Sequence, residues 1–152
     1  MRVVATQYSA EHRALEIYLS GCDGDCRGCH NPELWSFDVG QDYISCLPSI
    51  ISKINTFTLL IDNIWILGGE PLLQDKQSFI DFISKIKKTQ KTMWLFTRFE
   101  EEDVSYQITK MFDYIKFGKY QQELATDSNL QYGVKLSTSN QYIKFVGGAL
   151  AT

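Results

Sequence analysis

The sequence predicts an α/β fold, an open partial (β/α) barrel of roughly four to six mostly parallel strands. Three observations lead there. Short apolar runs alternate with segments whose apolar residues recur at helical intervals, which is the pattern of βαβ units with right-handed crossovers. Each run ends at glycine or a small polar residue, where a functional loop can leave the carboxyl edge of a parallel sheet. The chain has 152 residues, whereas a closed eight-stranded barrel needs about 250, so closure is not expected.

The elements are read in order. Residues 15–19 alternate apolar and polar except for Tyr18 and stop at Ser20-Gly21, a strand feeding a loop. Ile44, Leu47, Ile50, Ile51 and Ile54 fall on one helical side over residues 42–55, with Pro48 expected to displace the start of that helix. Residues 63–67 form an apolar run halted by Gly68-Gly69, as in a strand covered on both faces. Phe79, Ile80, Phe82, Ile83 and Ile86 mark a helix over 78–88, and residues 92–96 return as a strand. A weaker helix over 100–111, a strand over 114–117 ending at Gly118, and a last strand over 141–146 complete the series.

One domain covering residues 1–152 is expected, because the length and a hydrophobic content of 44% support one core and are too small for two ordinary domains. Fifteen basic residues against eighteen acidic ones give a net charge of −3, so neither nucleic acid nor an anionic membrane is an expected partner. The first residues carry no apolar signal core, and no segment approaches the roughly 20 apolar residues of a membrane span, which predicts a cytoplasmic protein. Four cysteines could mean disulfides in a secreted chain, but three of them lie within eight residues, a spacing that points to metal in a reducing compartment.

Those three are Cys22, Cys26 and Cys29, in the pattern C-x3-C-x2-C, with Gly21, Gly24 and Gly28 easing the backbone of a tight loop. Three thiolates leave one iron of a four-iron cluster open to another ligand, since the usual complement is four. Spacing alone leaves a structural zinc site open, completed by His30 or by distant Cys46. Downstream, Leu67-Gly68-Gly69-Glu70-Pro71-Leu72 leaves a strand through two glycines and presents a carboxylate that could accept from an ammonium. Taken alone it reads more readily as an ordinary turn.

Together, the cysteine loop after the first strand and the Gly-Gly-Glu turn after the next resemble the radical S-adenosylmethionine superfamily. Ser20-Gly21-Cys22, the stretch from Gly28 through Cys29, His30, Asn31, Pro32, Glu33 and Leu34 to Trp35, the Gly-Gly-Glu-Pro-Leu turn and Ser139-Asn140-Gln141 look like the anaerobic ribonucleoside-triphosphate reductase-activating proteins. That resemblance implies a [4Fe-4S] cluster on Cys22, Cys26 and Cys29, and S-adenosyl-L-methionine chelated by the open iron. Its methionine amino group would meet Gly68, Gly69 and Glu70. It further implies reductive cleavage to methionine and a 5′-deoxyadenosyl radical, which takes hydrogen from a glycine of the reductase large subunit. A low-potential electron donor such as flavodoxin would be required, and a homodimer is compatible with it.

Thr97, at the end of the 92–96 strand, is placed by the resemblance near the ribose or carboxylate of the cofactor, with a helix cap as the plainer reading. Lys116 or Lys119 would meet the carboxylate, unless they are solvated strand-end lysines. His30 would tune the cluster, with a packed, hydrogen-bonded histidine as the plainer reading, and Trp35 and Phe37 would cover it. This sequence departs from the family in two places: Tyr8-Ser9-Ala10-Glu11-His12-Arg13 stands where many activases have Gly-Pro-Gly-x-Arg, and the Asp of an Asp-x-Lys pattern near Lys116 is missing. Two rival readings are a radical enzyme acting on a small molecule, similar to carboxy-deazaguanine synthase, and a non-enzymatic zinc or iron–sulfur module.

Overall fold

The computed structural model describes residues 1–22 and 36–147. Its strands are β1 (Arg2–Ser9), β2 (Ala14–Leu19), β3 (Gln41–Asp42), β4 (Asn63–Gly68), β5 (Thr92–Phe96), β6 (Tyr114–Phe117), β7 (Ala125–Gln131), β8 (Val134–Thr138) and β9 (Tyr142–Phe145). The described α-helices are α1 (Tyr43–Thr56), α2 (Lys76–Lys87) and α3 (Tyr106–Thr109). Seven strands form one sheet in the order β3-β1-β2-β4-β5-β6-β9, and β7 pairs with β8 in a separate hairpin.

This corrects the expected partial (β/α) barrel of mostly parallel strands. The sheet is mixed: β2, β4, β5 and β6 run parallel, while β1, β3 and β9 join antiparallel. Its two ends, β3 and β9, do not pair with each other. The physical reason lies in the connections. A parallel pair needs a long crossover, usually a helix. Such helices exist between β2 and β4 and between β4 and β5. The chain after β6 spends its length on the β7–β8 hairpin instead, so β9 enters beside β6 in the opposite direction. On the other side β1 turns directly into β2 through residues 10–13, where Arg13 takes φ +48.

The expected helix over 100–111 is also smaller than predicted. It divides into a 3-10 turn at Glu101–Asp103 and the four residues of α3, because Val104 is extended and Ser105 starts afresh as an N-cap, accepting from Ile108 N. Pro48 does not displace α1, which begins at Tyr43 with Asp42 as its cap. The proline sits on the exposed side, where water can satisfy the carbonyl it leaves without an N–H.

One face of the sheet packs on helices. Leu15, Ile17 and Leu19 of β2, Ile64 and Ile66 of β4, Leu95 of β5 and Ile115 of β6 meet Leu47, Ile50 and Ile54 of α1 and Phe79, Phe82, Ile83 and Ile86 of α2. Burying each such side chain contributes about 1.5–3 kcal/mol. The alternate residues face the other way, and there Ala14, Trp65, Trp94 and Ile143 pack against Val134 and Leu136 of the hairpin. Both faces of the parallel strands are therefore covered, which holds their carboxyl ends in fixed relation. Among the described residues no helix is long and apolar enough to cross a membrane.

Candidate active site at the carboxyl edge

At the carboxyl ends of β2, β4, β5 and β6 the chain brings together Cys22, Gly68, Gly69, Glu70, Thr97 and Lys116. Cys26, Cys29, His30 and Trp35 lie outside the described residues. The register of β2 and β4 sets Leu19 beside Gly68. Gly68 has φ +132, and a Cβ there would stand 2.2 Å from the carbonyl oxygen of Leu19, so only glycine lets the two strand ends approach this closely. From that approach the next two amides reach across: Gly69 N donates to Leu19 O at 3.0 Å and Glu70 N to Gly21 O at 2.8 Å. The Gly-Gly-Glu turn is thereby bonded to the stem of the cysteine loop, one residue before half-buried Cys22. The ring of Phe37, half-exposed, lies where a Gly21 Cβ would be, which places it against that stem.

Glu70 is 1% exposed. Its Oε2 accepts from Leu72 N at 2.8 Å and from the Thr97 hydroxyl at 2.8 Å, and its Oε1 accepts from Arg98 N at 2.7 Å. Burial pushes this carboxyl above its ordinary value. The bonds from Arg98, Leu72 and Thr97, and the charge of Lys116, pull in the opposite direction. Glu70 thus fastens the exit of β4 to the exit of β5. Thr97 is buried and not a surface cap: its hydroxyl also accepts from Phe99 N at 3.2 Å, and its own amide donates to Lys116 O at 3.0 Å.

Lys116 is half-buried, and its Nζ donates to Gly118 O at 2.9 Å. The same carbonyl accepts from Gln141 Nε2 at 3.2 Å, and Asn140 Nδ2 holds Lys119 O at 3.0 Å. The Ser139-Asn140-Gln141 stretch therefore grips the loop that leaves β6. Lys119 itself is exposed.

Gln74 was not singled out by the sequence. It is 9% exposed, and its Nε2 donates to Ser20 O at 2.8 Å, to Glu70 O at 3.1 Å and more weakly to Gly21 O at 3.4 Å. Its only signal was a polar residue in a loop next to a glycine turn, which has no periodicity to read. His12 lies at the opposite edge, where its ring meets Trp65 at 4.6 Å and its carbonyl accepts from Asn63. Cys46 sits in the first turns of α1, its thiol directed at Tyr43 O and raised by burial, and packs against the helix-side core.

Residues 12–144 match the family described as a 4Fe-4S single cluster domain. The anaerobic ribonucleoside-triphosphate reductase-activating protein of Enterobacteria phage T4 is 30% identical over 118 residues, 72% of each chain. The chain belongs to this family of activating proteins. Other members include that of Haemophilus influenzae, 27% identical over 142 residues and 89% of each chain, and that of Escherichia coli K12, 24% identical over 136 residues and 84% of each. Thiolates are the customary ligands of 4Fe-4S clusters.

Proposed function

We propose that this chain is the activating enzyme of an anaerobic ribonucleotide reductase, working as a single radical S-adenosylmethionine domain in the cytoplasm. Cys22, Cys26 and Cys29 would hold the [4Fe-4S] cluster. The observation that carries the reading is the bonding of the Gly68-Gly69-Glu70 turn to Leu19 and Gly21, beside Cys22, which supports a turn that would bind the methionine ammonium next to a loop that would bear the cluster ligands. The residues present fit such a group. The Ser20 hydroxyl, two residues before Cys22, is buried without a hydrogen-bond partner among the described residues, and an orphan of this kind calls for a polar neighbour.

A cluster held by these cysteines would supply the electron, drawn from a low-potential carrier such as flavodoxin, for reductive cleavage of S-adenosylmethionine, and so the radical that would take hydrogen from a glycine of the reductase large subunit. The protein's own residues supply geometry and electrostatics. Gly68 and Gly69 leave backbone carbonyls free of side-chain cover. A carboxylate offers about four acceptor positions, and the described residues fill three of those on Glu70, so the methionine ammonium would take the fourth. Thr97 would hold the cofactor's ribose or carboxylate side by ordering the exit of β5. Lys116 supplies positive charge to the cofactor carboxylate.

The test is anaerobic reconstitution. About four iron and four sulfide per chain are expected, with 5′-deoxyadenosine formed on reduction and a glycyl radical signal in electron paramagnetic resonance only when the reductase is added. Cys26→Ala should abolish the cluster and the cleavage, and Cys46→Ala should leave both intact. Stoichiometric zinc without cleavage would overturn the reading.

A further inference from the structure

We propose that Gln74 is a positioning residue that fixes the spacing between the cysteine loop and the Gly68-Gly69-Glu70 turn, and through it the affinity for the methionine end of S-adenosylmethionine. The second clause rests on the function proposed above. The first rests on the structure.

Two polar side chains leave the same turn and divide its fastening between them. The carboxylate of Glu70 reaches the β5 side, where it accepts from the Thr97 hydroxyl and the Arg98 amide. The amide of Gln74 is spent on the β2 side. Its nitrogen carries two N–H groups, matching the two short bonds to Ser20 O and Glu70 O, with Gly21 O as a longer third contact. One end of the clamp is therefore the carbonyl of the last turn residue, and the other is the pair of carbonyls immediately before Cys22. Both ends are backbone, so the spacing they set does not depend on any other side chain's rotamer.

The placement of Gln74 is itself fixed. It terminates the 3-10 turn Pro71–Leu73, with its own amide donating to Pro71 O at 3.4 Å, and Pro71 at the start of that turn restricts the backbone leading to it. The side chain is nearly excluded from water, where a hydrogen bond lost by a buried carbonyl is not replaced without cost. Among the described residues, the amides of Gly69 and Glu70 supply the remaining hydrogen bonds between the segments, to Leu19 O and Gly21 O. If the clamp is removed, the opening rate of those two bonds should report the change.

A ligand that spans from the loop to the turn is sensitive to their separation, whereas a cluster held by thiolates of the loop alone is not. A residue that only stabilises the fold would lower stability and cluster content together and leave the apparent affinity unchanged.

The test uses the full chain carrying Gln74→Met, which keeps the side-chain length and removes both donors. In the metal-free protein, hydrogen exchange of the Gly69 and Glu70 amides should accelerate at least about tenfold, the factor expected for one of the two lost hydrogen bonds, while the amide of Leu95 in β5 stays as in wild type. In the reconstituted protein, iron content should match wild type, KM for S-adenosylmethionine should rise about tenfold, and kcat for 5′-deoxyadenosine should stay within about twofold. Gln74→Asn, which keeps the amide and withdraws it by one methylene, carries the same prediction at smaller size should the methionine variant fail to fold. Unchanged exchange and unchanged KM would overturn the proposal, as would a parallel fall of iron content and kcat with KM unaltered. A wild-type protein that never cleaves S-adenosylmethionine would sink the function, and with it the affinity clause. The exchange measurement would still decide whether Gln74 sets the spacing.

Discussion

The two ends of the parallel strands treat polar groups in opposite ways. At the amino ends, contacts are made in water: Arg13 and Asp62 pair at 2.6 Å with their side chains 47% and 56% exposed, and Lys91 donates to the carbonyl and hydroxyl of Thr58 on an exposed surface. At the carboxyl ends, Glu70, Gln74 and Thr97 are buried, and the bonds of their side chains run mainly to backbone at the exits of neighbouring strands. A buried hydrogen bond is costly to break because the stranded partner cannot turn to water, and an exposed ion pair is nearly free to break because it can. The molecule places its expensive contacts where the cysteine loop begins, and its inexpensive ones at the far edge.

The largest break in this contrast should come from Gly68→Ala. The added methyl meets the Leu19 carbonyl at 2.2 Å and the residue must hold φ +132, so strain and steric conflict together should lower stability by about 3 kcal/mol or more. Urea denaturation of the metal-free protein gives the value. A loss under about 1 kcal/mol would mean that the two strand ends can part cheaply, and the carboxyl edge would not be the rigid region described above.

That glycine was legible in the sequence, and so was Glu70 behind it, because an apolar run that stops at Gly-Gly is a signal visible in one dimension. The parallel strands β2, β4, β5 and β6 were legible for the same reason: their apolar residues lie on faces that are both covered. The strands that make the sheet mixed carry no such mark. Arg2–Ser9 is largely exposed, with only Val3 fully buried, and Gln41–Asp42 is two exposed polar residues, so neither shows a period of two. The direction of β9 was not written in its own residues, since a short apolar run reads alike whichever way it enters a sheet. It is decided by how the preceding segment is used, here for a hairpin. Gln74 was hidden for a further reason: its role depends on carbonyls some fifty residues away in sequence, and nothing local announces them.

A smaller effect is expected from Glu70→Gln. Replacing one carboxylate oxygen with an NH2 group sets a donor against a donor, either the Arg98 amide or the Leu72 amide and the Thr97 hydroxyl. A cost of about 1–3 kcal/mol follows. The pH dependence gives a second measure. Burial raises the Glu70 carboxyl in the folded protein above its ordinary 4.5. As pH rises above 4.5 the unfolded chain loses this proton first, and the folded state retains it longer. The folded state then binds more protons than the unfolded, so this group's contribution to stability declines with rising pH until the folded carboxyl has also ionised. Denaturation midpoints measured from about pH 4.5 upward should show that decline in wild type and lack it in Glu70→Gln. An identical slope in both proteins would mean that Glu70 ionises as in water.

The smallest effect tests the other side of the comparison. Arg13 holds the Asp62 carboxyl below its usual range, first through the side-chain hydrogen bond and then through charge. A depressed carboxyl stabilises the fold above its unfolded value and loses that contribution as pH falls through the folded one. The sign is therefore opposite to that of Glu70, and the group is open to solvent. At physiological ionic strength charges separated by more than about 8 Å are screened, and even a contact pair in water returns little after its side chains are ordered. Asp62→Asn should leave the denaturation midpoint at pH 7 indistinguishable from wild type, although the pair is as short as any bond Glu70 makes. Distance alone would rank the two carboxylates as equals; burial separates them. If Asp62→Asn instead destabilised the protein as much as Glu70→Gln, the amino edge would be as tightly constrained as the carboxyl edge, and the rigidity around Cys22 could no longer be assigned to the buried side chains that surround its loop.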